Sequence, residues 1–191
     1  MKKEIILIGG GGHCKSVIDV IELEDKFIIA GIIDKKELIG QKILGYKVIG
    51  CDDDLEELFK IYKYAIVTVG QIKTNDIRVK LFNKIKSSGY ITPTIISPLA
   101  YVSKHANIQD GTIVMHQAVI NASVNIGQNC IINTKALVEH DAVIEDNCHI
   151  STASVINGGV VVKQNSFIGS NSTSKEYIQI NGFVKAGSIA I

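Results

Sequence analysis

The chain has 191 residues, 46% of them apolar, and a formal net charge of +1. It can bury one or two small cores, and it carries no basic surplus of the kind that binds nucleic acid. No apolar run reaches the roughly 18 residues of a membrane span, and the N-terminus lacks a signal-peptide pattern, so a cytoplasmic location is expected, with neither membrane nor nucleic acid as partner.

Ile5 to Ile8 is a continuous apolar run and predicts a buried strand. Gly9-Gly10-Gly11-Gly12-His13-Cys14 follows, then a stretch whose Val17, Val20, Ile21 and Glu24 are spaced as on an amphipathic helix. A second strand is expected from Phe27 to Ile33, ending at Asp34, and a third from Tyr64 to Val69, ending at Gly70. Helices are expected from Asp53 to Tyr62 and from Asp76 to Ser87. Residues 1–92 therefore predict a three-stranded parallel α/β half-domain of Rossmann type, with ligands at the carboxyl ends of its strands.

Glycines let backbone N–H groups approach a phosphate, and the helix N-terminus behind them favours an anion. Gly10, Gly11 and Gly12 are the candidates for that contact. Gly9 and Gly11 fit the first two glycines of the dinucleotide fingerprint, but Cys14 stands at the third position and no second βαβ half follows. A nucleotide-linked ligand is therefore favoured over NAD, with a purely packing role for the glycines as the alternative. Asp34, about twenty residues after the loop, is where a ribose or base contact would fall.

From residue 93 the pattern changes. Thirteen residues spaced six apart are all Ile or Val: Ile96, Val102, Ile108, Val114, Ile120, Ile126, Ile132, Val138, Ile144, Ile150, Ile156, Val162 and Ile168. The residue two places before each is small or slim. A period of six fits neither an amphipathic helix nor one strand, but it fits a solenoid of short strands and corners. Ile108 to Gly111, Ile126 to Asn129, Ile144 to Asn147 and Val162 to Asn165 recur at eighteen, each ending in a residue that tolerates left-handed backbone, so three sides close one coil. The four cysteines show no close metal-type spacing and no metal site is expected. Cys130 and Cys148, one coil apart on the small inward track, are expected to be stacked free thiols.

This ruler resembles the left-handed β-helix of the hexapeptide-repeat acyltransferases. Joined to the α/β half-domain with its glycine loop, it resembles the bacterial nucleotide-sugar acetyltransferases, which include the UDP-4-amino-sugar N-acetyltransferase of bacillosamine synthesis and the enzymes called sialic acid O-acetyltransferases. The sharpest matching segment runs from Asn133 through Glu139-His140-Asp141 to Ile144. The resemblance implies an acetyl-CoA-dependent N-acetyltransferase acting on the amino group of a nucleotide-linked sugar, expected to be a UDP-4-amino-dideoxy sugar, in bacterial glycan biosynthesis. It also implies a homotrimer with acetyl-CoA between adjacent β-helices and active sites at the subunit interfaces.

Acetyl transfer from a thioester needs a base for the attacking amine or hydroxyl, and histidine is the side chain suited to that near neutral pH. His140, two residues past inward Val138 and at a corner, is the candidate base. Glu139 and Asp141 both offer a carboxylate to hold its tautomer, and the resemblance favours Asp141. It further implies an N–H donor to the thioester carbonyl from His149, a polar contact from Asn133, room for the pantetheine arm at Gly158, and sugar-nucleotide contacts from His13 and Gly70. His105 and His116 are expected at the surface.

The sequence departs from the family pattern in three places. Lys35 stands where a second acidic residue is expected after Asp34. The ruler breaks at Ser174, with the following coil about two residues short. A Pro-containing C-terminal tail is missing after Ile191, which predicts a weakened grip on the donor. Two rival functions stay open: a sugar O-acetyltransferase of the sialic acid type using the same base, and a non-catalytic sugar-nucleotide-binding protein. A β-helical zinc enzyme of the carbonic anhydrase kind would need a close histidine pair that this sequence lacks.

Overall fold

The computed structural model describes residues 2–72 and 74–191. The chain divides into two compact units, Met1–Pro93 and Thr94–Ile191.

In the first unit, β1 (Lys3–Ile8), α1 (Gly12–Glu24), β2 (Phe27–Ile33), β3 (Lys42–Ile43), β4 (Tyr46–Gly50), α2 (Leu55–Ile61), β5 (Tyr64–Val67) and α3 (Asp76–Ser87) follow in chain order. The sheet runs β3-β4-β2-β1-β5. Its strands pair in parallel except β3 with β4. Among the described residues five strands thus replace the expected three. The added hairpin turns at Leu44 and Gly45, with φ of 46° and 90°, a conformation that Leu does not advertise in a sequence. The expected helix from Asp53 starts only at Leu55, because Asp52–Asp54 forms a 3-10 turn in which the Asp54 carboxylate accepts the Cys51 N–H at 2.8 Å. The place of β1 between β2 and β5 explains its unbroken apolar run: Ile5 to Ile8 are all fully buried, as a parallel strand covered on both faces requires. Ile6 and Ile8 pack with Ile33, Val67, Leu81 and Ile85 in one core.

The second unit is a left-handed parallel β-helix. Its two-residue strands run from β6 (Ile95–Ile96) to β22 (Ile189–Ala190) in three parallel sheets. Partners lie one coil apart, as in Val119↔Leu137, Asn125↔Val143 and Ile131↔His149. Every ruler residue from Val114 to Ile168 is at most 2% exposed. The corners are left-handed where Gly and Asn recur: Gly111, Asn129, Asn147 and Asn165 have φ of 70°, 55°, 59° and 65°. Stacked Asn amides add a rung, with Nδ2 of Asn129 donating to Oδ1 of Asn147 at 2.9 Å. Cys130 and Cys148 are free and fully buried, and their thiols donate to the carbonyls of Glu145 and Lys163 at 3.2 and 3.1 Å. The contact with Cys130 and burial together hold the Cys148 thiol far above its ordinary pKa.

Ser174 does not end the solenoid. It takes the inward ruler position, 3% exposed, and its Oγ accepts the Asn157 N–H at 2.8 Å. An inward hydroxyl is tolerated because a backbone donor of the preceding coil satisfies it. The expected shortening is present one side later: Phe167 pairs with Phe183, sixteen residues on rather than eighteen, and Gly182 at φ 88° closes the tightened corner.

Candidate active site

His140 sits at the corner between strands Leu137–Val138 and Val143–Ile144. Asp141 takes the left-handed position there, φ 61°. Its N–H donates to the Ala122 carbonyl of the preceding coil at 3.2 Å, and the His140 carbonyl accepts from Gly159 of the next coil at 3.0 Å. The corner is therefore fixed from both sides. Nδ1 of His140 lies 2.8 Å from Oδ2 of Asp141, with both side chains more than half exposed. An ionised carboxylate can only accept, so this contact assigns a ring proton to Nδ1 and, in the neutral ring, leaves the lone pair on Nε2. Glu139, the other candidate carboxylate, turns back one coil and accepts from Nδ2 of Asn121 at 2.7 Å. Gly158 lies one coil beyond His140, where a β-carbon would stand 2.9 Å from Cε1 and 3.0 Å from Nε2 of the imidazole.

His149 and Asn133 meet on another side of the prism. Nδ2 of Asn133 lies 3.1 Å from Nε2 of His149, while Oδ1 of Asn133 accepts the Thr134 N–H at 2.8 Å. That second bond fixes the amide orientation, so Nε2 of His149 is the acceptor in this contact and the N–H of the neutral ring is on Nδ1. The ring is 6% exposed and sits edge-on to Phe167 at 5.1 Å.

In the first unit the four glycines of the loop separate into two pairs. Gly9 has φ 103°, and a β-carbon on it would lie 2.3 Å from Cγ2 of Val69; on Gly10 it would lie 2.3 Å from Cδ1 of Ile43 and 2.7 Å from Oδ2 of Asp34. Asp34 accepts the Gly10 N–H at 2.6 Å and the Lys35 N–H at 2.7 Å. Its carboxylate thus ties the glycine loop to the end of β2, where a ribose or base contact was expected. Gly11 and Gly12 are different, since a β-carbon on either meets nothing within 4 Å. They begin α1, which has no acidic residue in its first turn and no side-chain cap, so glycine there keeps backbone donors approachable at the positive end of the helix. His13 and Gly70 adjoin, a Gly70 β-carbon falling 3.4 Å from Cβ of His13.

Two residues escaped the sequence reading. Arg78 of α3 is 1% exposed and donates from Nη1 to the carbonyls of Val67 and Val69 at 2.8 and 2.9 Å, clamping the strand end that leads to Gly70. Its signal, a lone charge among the apolar positions of a helix, was available. Tyr177 stands at the corner two coils beyond Asp141 with φ 56°. Nothing in its residue type points there. A shallow groove of about 310 Å³ on the outer face of the strands at Asn107, Asn125 and Val143 is rimmed by Glu145 and Asp146, which disfavour a phosphorylated ligand. Among the described residues no group of three or more His, Cys, Asp or Glu could hold a metal ion, and no helix is long and apolar enough to cross a membrane.

Comparison with known proteins adds to this geometry. The family described as the PglD N-terminal domain matches residues 4–85. No curated protein sequence matches the chain. Among solved structures, a histidine-to-asparagine variant of perosamine N-acetyltransferase from Caulobacter crescentus, in complex with CoA and GDP-perosamine, is 32% identical with a TM-score of 0.91, covering 98% of this chain and 88% of that one. The acetyltransferase domain of PglB from Neisseria gonorrhoeae, in complex with acetyl coenzyme A, is 26% identical with a TM-score of 0.92, covering 100% and 92%. WeeI from Acinetobacter baumannii, 22% identical with a TM-score of 0.62 over 98% of this chain and 96% of that one, shares the fold.

Proposed function

The chain belongs to the hexapeptide-repeat nucleotide-sugar N-acetyltransferases, and we propose that it moves an acetyl group from acetyl-CoA to the amino group of a nucleotide-linked sugar, with His140 as general base. The observation that carries this reading is the Nδ1 to Asp141 contact, which leaves Nε2 of the neutral ring as the acceptor, with the imidazole seated against Gly158 of the next coil. Two of the solved relatives hold CoA or acetyl-CoA, one of them together with GDP-perosamine.

Acetyl-CoA supplies the activated acyl group. Nε2 of His140 takes the proton of the amine as the amine attacks. Asp141 keeps the ring in the tautomer that can do so and stabilises the cation that forms. Glu139, bonded to Asn121, buttresses the corner. Residues 1–92 bind the sugar nucleotide, its diphosphate meeting the donors of Gly11 and Gly12 with His13 and Gly70 beside them, and residues 93–191 carry out the transfer. Asp34 serves by holding the loop.

His140 and the Asn133–His149 pair occupy different sides of one prism. Groups so placed act on one substrate when a second copy lies alongside, and this supports a homotrimer with shared sites. The outer ladder of Tyr101, Val119, Leu137, Val155, Thr173 and Ile189, with Tyr101 60% and Ile189 73% exposed, is apolar at every rung but Thr173 and offers a face for that contact.

A thiol-release assay with acetyl-CoA and a panel of UDP-, GDP- and dTDP-linked 4-amino sugars and free sialic acids tests the proposal. Turnover with an amino sugar that is lost in His140→Ala is expected. Turnover on sialic acid alone would replace the reading with O-acetylation, and turnover undiminished in His140→Ala would remove the base. Sedimentation or light scattering in solution should give three times the mass of the chain; a monomer would contradict the shared site.

A further inference from the structure

The corner that carries His140 and Asp141 continues through Gly158–Gly159 on the next coil to Glu176–Tyr177 on the one after, each coil about 4.8 Å further along the prism. A β-carbon on Gly159 would stand 2.3 and 2.5 Å from Cδ1 and Cε1 of Tyr177, just as one on Gly158 would meet the imidazole. Two consecutive glycines therefore receive two rings, His140 leaning from one side of the coil and Tyr177 from the other. The rings lie over the backbone of these two glycines, which gives both glycines a reason beyond turn geometry.

Tyr177 holds this place against its intrinsic preference. Its φ is 56°, a conformation that L-residues with a large side chain avoid. It is 75% exposed, so the strained backbone is not repaid by burying the ring. The corner imposes this φ, as it does at Asp141 and Gly159 in the same column, 61° and 67°; a large, exposed aromatic ring kept there, two coils from a candidate base, is the pattern of a ligand contact rather than of packing.

We infer that Tyr177 is a donor-binding residue whose ring bounds the space beside His140 that receives the acyl thioester of CoA, and whose bulk limits the length of acyl group admitted. The inference rests on the acetyl-CoA reading above. Flat rings over neighbouring glycines suit the narrow, uncharged pantetheine and acyl portion of the donor. The ring also supplies, from the solenoid itself, a wall at the stretch where the sequence leaves the family pattern between Ser170 and Tyr177.

Calorimetric titration of CoA into wild type, Tyr177→Gly and Tyr177→Phe, with thermal melts of each, tests the inference. Tyr177→Gly should bind CoA about tenfold more weakly with a melting midpoint at or above that of wild type, because glycine accepts this φ. Tyr177→Phe should bind CoA as wild type does. In the thiol-release assay Tyr177→Gly should narrow the preference for acetyl-CoA over butyryl-CoA by about tenfold, and the KM for the sugar nucleotide should not follow the change in CoA affinity. A lowered midpoint with CoA affinity and acyl preference at wild-type values would overturn the inference and make Tyr177 a packing residue. Failure of wild type to bind CoA at all would overturn it together with the acetyl-CoA reading, so the two failures are distinguishable.

Discussion

A β-carbon on Gly158 would lie 2.9 Å from Cε1 of His140, although eighteen residues separate the two in sequence. The imidazole occupies the space that every other residue type would fill, and so the side chain of one coil is positioned by the lack of one on the next. Gly158 has no positive φ to explain it, and its identity is set by this contact.

Gly158→Ala should therefore leave the solenoid folded and displace the ring. A fall in kcat of about 10²-fold is expected, the scale on which misplacement by about 1 Å affects a reacting group, with a circular dichroism melt close to wild type. A wild-type rate would show that the imidazole can work from elsewhere.

Asp141 and Glu139 flank His140 equally in sequence but not in space, and paired substitutions separate them. Asp141→Asn can donate to Nδ1 and so favours the tautomer with the proton on Nε2, where the base must be free; a loss of about 10²- to 10⁴-fold in kcat is expected. Glu139→Gln keeps an oxygen for the Asn121 amide and should stay within about threefold of wild type, since an exchanged neutral hydrogen bond changes little. Steady-state kinetics at saturating acetyl-CoA read both, and a reversal of the two effects would transfer the orienting role to Glu139.

The glycine loop makes a parallel distinction. Gly10→Ala must push aside Ile43 and the Asp34 carboxylate, 2.3 and 2.7 Å from the new carbon, and should lower stability by about 1–3 kcal/mol as overpacking does. Gly12→Ala meets open space in the first turn of α1 and should raise stability by about 0.4–1 kcal/mol through the unfolded chain, while weakening nucleotide binding. Urea unfolding together with titration of the nucleoside diphosphate measures both. Unchanged affinity in Gly12→Ala would return that glycine to a packing role.

The thiols give a pH-dependent prediction. Burial pushes Cys14 up from 9.0 to about 11 and Tyr90 up from 10.0 to about 12. Each is raised in the folded state, so the stability each contributes is full below its unfolded value and is lost as pH rises through the folded one. Chemical unfolding should show stability declining from about pH 9 to about pH 12, with Cys14→Ala removing the first part of the decline. At pH 8, Ellman's reagent should titrate one thiol in the native protein, half-buried Cys51, and all four in denaturant. Rapid native reaction of Cys130 or Cys148 would contradict their place in the core.

Much of this was legible from residue order. The six-residue ruler predicted strand positions through the solenoid, the left-handed corners at Gly111, Asn129, Asn147 and Asn165, and the shortened coil before Phe183. It did so because each inward position is filled by a local choice of side chain. The β3–β4 hairpin was missed because its strands are short and its turn uses Leu44 rather than a residue with turn chemistry. Ser174 was read as a break because the pattern of apolar side chains cannot show that the Asn157 N–H waits for its hydroxyl.

The sequence alone determined the prism and the α/β half-domain, since periodicity is a property of the chain in one dimension, and with the family resemblance it singled out His140 as the candidate base. Only the tertiary structure decided which carboxylate meets His140, because Glu139 and Asp141 are equidistant from it in sequence and the left-handed corner sends one toward the imidazole and the other toward Asn121. Tertiary structure likewise turned Asp34 to the support of the glycine loop, and it brought Tyr177 and His140 to adjacent glycines. Contacts between coils depend on side-chain direction at each corner, and direction at a corner is set by the stacking of neighbours far away in the chain.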